Sequence, residues 1–79
     1  MTLATGAEAL FTSPLQPSEC PTAVDIRAAI RRSLRAHHGA RGCAAAVAVE
    51  FGEHPETAVA RMRWALAQVG AFRQAYASA

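Results

Sequence analysis

Alanine fills 20 of the 79 positions and β-branched residues are scattered rather than clustered, so the chain is built for helices. Alanine also dilutes the apolar count. Of the 52% hydrophobic residues, comparatively few are large enough to make a core. The length allows one small domain, which excludes a multidomain enzyme with a deep substrate cleft. No apolar stretch approaches the roughly 20 residues of a membrane helix. The opening Met1-Thr2-Leu3-Ala4-Thr5 has neither the basic region nor the apolar core of a secretory signal. Cys20 and Cys43 are therefore expected as reduced thiols in a cytoplasmic protein.

Punctuation divides the chain. Gly6, Pro14 and Pro17 interrupt residues 1–20, which are expected to form a largely disordered N-terminal arm pinned by Leu10, Phe11 and Leu15. Residues 21–79 are the expected domain. Thr22 stands three residues before Asp25, the spacing of a capping box, and opens a helix with Ile26, Ile30 and Leu34 on its buried stripe. Gly39 is expected to stop it, after His37 and His38 at its negative end. A short second helix runs from about Arg41 or Gly42 to Phe51 and ends at Gly52. A third starts at Pro55, where a missing N–H costs nothing. Its apolar stripe is Ala58, Met62, Ala65, Leu66, Val69 and Phe72, and Gly70 is a place for it to bend or end.

Every basic side chain is arginine. Beyond residue 20, eight arginines face only Asp25, Glu50, Glu53 and Glu56, which leaves a basic excess on a small body. Arg27, Arg31 and Arg35 recur every four residues on one side of the first expected helix. Such a ladder is either a solvated face or a set of phosphate contacts.

Residues 44–65 carry the functional signal. Ala48 is a small residue in the second helix, and Gly52 follows four positions later, flanked by Val47 and Phe51. Thr57, Arg61 and Met62 follow at fixed offsets. This pattern resembles the helix-turn-helix of bacterial DNA-binding proteins, in the variant found in the promoter-reading domain of sigma factors. Glu53 and Ala58 depart from it, where the family has an apolar residue and commonly valine. The resemblance implies an all-α fold, a small three- to four-helix bundle containing a helix-turn-helix, with Ala48 at the helix crossing and Gly52 in a left-handed turn. The composition is similar to that of small actinobacterial proteins of nucleoid-associated or regulatory type. On this reading the helix from Pro55 enters the major groove. Glu56, Thr57, Ala60, Arg61 and Trp64 lie off its apolar stripe and are the candidate base contacts, with Arg61 suited to guanine and Glu56 to a cytosine amino group. Arg27, Arg31, Arg35, Arg41 and Arg63 are the candidate phosphate contacts.

Other chemistry is poorly supported. Cys20, His37, His38, Cys43 and His54 lack the close spacings of a zinc site, and Cys43 reads better as a small buried residue. No motif supplies an oxyanion hole, and no cofactor is expected. The leading expectation is a non-enzymatic DNA-binding protein of the nucleoid, a regulator or nucleoid-associated protein. It is expected to be a homodimer through Trp64, Leu66, Val69, Phe72 and Tyr76. The alternative is a helical protein-interaction module using Leu10, Phe11, Trp64 and Phe72. Arginines gathered on one face favour DNA, and arginines dispersed around an exposed apolar groove favour a protein partner.

Overall fold

The computed structural model describes the backbone of residues 1–78 and the side chains through Arg73. Tyr76 lies outside the described side chains. The chain is all-helical and forms a small bundle: α1 (Leu3–Thr12), α2 (Ala23–Ala36), α3 (Ala40–Glu53) and α4 (Pro55–Ser78), with a 3₁₀ turn at Pro17–Glu19 between α1 and α2. No described helix is long and apolar enough to cross a membrane.

The N-terminal segment corrects the expectation of a disordered arm. α1 is the central helix and packs on all three others. Thr2 caps it, its hydroxyl oxygen accepting from the Thr5 N–H at 3.1 Å. Gly6, Ala7, Ala9, Leu10 and Phe11 are buried, and Leu10 is wholly inaccessible. A helix of ten residues is marginal alone, so packing on several sides stabilises it. The supposed breakers act otherwise. Pro14 comes just after the Ser13 C-cap, and Gly6 lets α4 approach, since a Cβ there would stand 3.1 Å from Val69 Cγ1. Leu10 and Phe11 are thereby withdrawn as partner-binding residues.

The start of α2 is as expected. Thr22 and Asp25 form a reciprocal capping box at 3.0 and 3.2 Å, and Ile26 and Ile30 are buried. Its end is different. His38, not Gly39, takes the left-handed position after the cap, at φ 61°. The Gly39 N–H donates to the Leu34 carbonyl at 2.7 Å, and the His38 N–H to Arg35 at 3.4 Å, a Schellman closure. Gly42 then brings the first turn of α3 against α2, because a Cβ would collide with the His37 carbonyl.

The α3–α4 junction also differs. Gly52 is helical, Gly39 is the sole described glycine with positive φ, and α3 continues to Glu53. His54 alone joins the two helices, with Pro55 opening α4. Ala48 is exposed rather than at a crossing. The left-handed turn expected at Gly52 is thus absent, because one residue with a non-helical backbone (His54, φ −138°, ψ 65°) suffices to redirect the chain. α4 passes through Gly70 without ending. Ala58, Ala65 and Val69 face the core, whereas Leu66 does not and remains 39% exposed.

Candidate nucleic-acid interface

Of the ten candidate contact residues, Arg27, Arg31 and Arg35 line one concavity and Thr57 and Arg61 another. Arg61 is the clearest correction. Its side chain crosses from α4 to the C-terminal end of α1, where Nε donates to the Phe11 carbonyl at 2.7 Å. Nη2 donates to the carbonyls of Ser13 at 2.7 Å and Leu15 at 2.9 Å, with a longer contact to Leu10 at 3.5 Å. The Phe11 carbonyl is one that the end of α1 leaves without an intrahelical partner, Ser13 is the C-cap and Leu15 follows it, and a cation there also opposes the negative end of the helix dipole. Burial pushes the guanidinium below its ordinary pKa, but arginine remains charged in proteins. The Trp64 ring lies 5.1 Å from the same guanidinium and the Phe11 ring 5.8 Å. Arg61 is a helix cap and Trp64 its packing partner. Both are half-buried, and Arg61 spends Nε and Nη2 on the fold's own carbonyls rather than holding them out for a base.

The rest of the α4 start is exposed but not basic. Glu56, Thr57 and Ala60 face solvent, and Glu50 and Glu53 stand exposed just before the His54 joint. Three carboxylates around that joint repel a phosphate backbone. Thr57 opens onto a cleft of about 290 Å³ shared with Thr12, His37, Glu50 and Arg61. Arg41 on the first turn of α3 and Arg63 on α4 are exposed and belong to neither concavity of α2 described below.

α2 carries the basic surface. Arg27, Arg31, Arg32 and Arg35 are all exposed and, with Val24 and Ala28, line a shallow concavity of about 260 Å³. The helical repeat places Arg27, Arg31 and Arg35 in a row with Arg32 beside it. No carboxylate lines this concavity. Asp25, the nearest in sequence, is occupied by the helix cap, where hydrogen bonds from the Thr22 backbone and then its side chain hold its pKa below the usual value. Among the described residues, Arg31, Arg32 and Arg35 form no hydrogen bond or ion pair. Arg32 was not among the expected contacts. Its one-residue offset from the ladder hid it, although helical rows are broad enough to include it.

The other side of α2 borders an apolar groove of about 350 Å³, where Met1, Ile26, Ile30, Leu34 and Phe72 form the lining and Arg27 and Arg31 the charged edge. Arg27 reaches over the Phe72 ring at 5.0 Å. Cys43 is buried, accepting from Thr12 Oγ1 at 3.9 Å and donating to the Ser33 carbonyl at 3.7 Å, so it is a packed core residue. No metal-holding group of His, Cys, Asp and Glu occurs among the described residues. No family model, curated protein or solved structure matches the chain.

Proposed function

We propose that this protein is a non-enzymatic DNA-binding module of the nucleoid that grips the phosphate backbone with the outer side of α2. The observation that carries this reading is the row of exposed arginines at 27, 31, 32 and 35, with no carboxylate in the concavity they line. Guanidinium groups match phosphate oxygens in geometry and charge. A surface of this kind positions a protein on DNA without reading bases. Weak sequence preference is therefore expected, as for an architectural protein rather than a promoter reader.

Duplex titration across a salt series tests it. Four neutralised phosphates give log affinity against log salt a slope of about −3 to −4. Preferred and scrambled duplexes should bind within a few-fold of each other. Absence of binding at low salt would overturn the proposal.

A second reading rests on the apolar groove beside the same helix. Its lining and its two arginines suit an acidic, amphipathic segment of a protein partner. Binding of that kind covers the half-buried Leu34 and Phe72 and is much less sensitive to salt than the phosphate grip.

A further inference from the structure

The outer side of α4 has a stripe that leaves the bundle unused. Glu56, Val59, Arg63, Leu66, Gly70 and Arg73 alternate in spacings of three and four residues, the repeat of a two-helix seam. All are exposed except Gly70, which is half-buried. Val59 and Leu66 keep 38% and 39% of their surface in solvent, and a Cβ on Gly70 would meet nothing within 4 Å. Among the described residues, Glu56, Arg63 and Arg73 form no hydrogen bond or ion pair. The stripe is complementary to itself when reversed. Glu56 then stands opposite Arg73, Val59 opposite Gly70, and Arg63 opposite Leu66.

We propose that α4 pairs antiparallel with α4 of a second copy of this chain, about a two-fold axis between Trp64 and Ala65. Each of the three pairings occurs twice in such an isologous contact. Opposite charges close both ends, Val59 enters the space over Gly70, and Leu66 packs on the aliphatic stem of Arg63. A parallel, in-register pairing instead sets Glu56 on Glu56, Arg63 on Arg63 and Arg73 on Arg73, and like charges reject it. The contact is about 26 Å long from Glu56 to Arg73 and holds both Arg63 side chains near the axis. It is therefore a weak, concentration-dependent dimer rather than an obligate one. The face differs from the one first expected, since Val69 is buried in its own bundle and Trp64 is packed on Arg61. The proposal is independent of DNA binding.

Sedimentation equilibrium of the full chain in reductant, which keeps the exposed Cys20 from cross-linking, tests it. The wild type should self-associate through the high micromolar range. Glu56→Arg and Arg73→Glu should each weaken the dimer about tenfold, and the two together should restore it, because the exchanged charges meet again across the axis. Leu66→Glu should give a monomer. Circular dichroism establishes that each variant is folded, and if Leu66→Glu is not, the charge-exchange set decides. A monomeric wild type, single variants that associate like wild type, or a folded double variant that does not recover would overturn the proposal.

Discussion

Two groups of guanidinium groups sit in contrasting surroundings. At the end of α1 a single side chain, Arg61, is surrounded by carbonyl oxygens of Leu10, Phe11, Ser13 and Leu15 and by the rings of Phe11 and Trp64. On the outer side of α2, Arg31, Arg32 and Arg35 stand exposed in a concavity that no carboxylate lines, and they form no hydrogen bond or ion pair among the described residues. The first group is satisfied within the fold and has little left to give a ligand. The second carries its charge outward, as the proposed phosphate grip requires. Identical chemistry thus does opposite work, and the difference is set by which carbonyls and carboxylates lie within reach.

Substitutions should separate the two regions cleanly. The largest effect belongs to the helix under Arg61. Leu10→Ala removes a fully buried side chain and is expected to cost about 2–5 kcal/mol in urea unfolding. A cost below about 1 kcal/mol would mean that α1 is not the centre of the core. Arg61→Ala comes next, at about 2–3 kcal/mol, because charge-assisted bonds to several carbonyls are lost together. Arg61→Lys should recover only part of that, since an ammonium cannot reproduce the fork. If Arg61→Ala left stability unchanged but altered base preference, the contrast drawn here would be reversed. Thr22→Ala should cost about 1 kcal/mol through the α2 cap. The Asp25 half of that cap titrates with a pKa lowered in the folded protein. Its contribution is therefore full above the unfolded value of about 4 and is lost as pH falls through the lower folded value. Acid titration of an Asp25→Asn variant checks the sign, because its unfolding should depend less on pH in that range.

Much of the fold was legible in the sequence, and the reasons for the misses are physical. Thr22 and Asp25 act through a local hydrogen-bond pattern, so the start of α2 could be read directly. The periodicity of Ile26 and Ile30 likewise survives in the structure. α1 was obscured because Gly6 and Pro14 look like breakers to any local rule, whereas one admits a neighbouring helix and the other follows the cap. Gly52 suggested a turn because glycine permits one, but it does not demand one, and the chain turned at His54 instead. Of the candidate site, the Arg27, Arg31 and Arg35 row was visible as a four-residue repeat. The position of Arg61 depended on carbonyls nearly 50 residues away in the chain, a relation that no local pattern carries.

The most direct measurement of the contrast is the salt slope of duplex binding for wild type and for Arg31→Ala/Arg35→Ala. Both side chains are exposed and form no hydrogen bond or ion pair among the described residues, so the double variant should unfold within about 0.5 kcal/mol of wild type. Its affinity for every duplex should fall together, and its slope should become shallower by about 2, one phosphate contact for each arginine removed. A stable double variant that binds DNA with the wild-type affinity and slope would contradict the assignment of the α2 face.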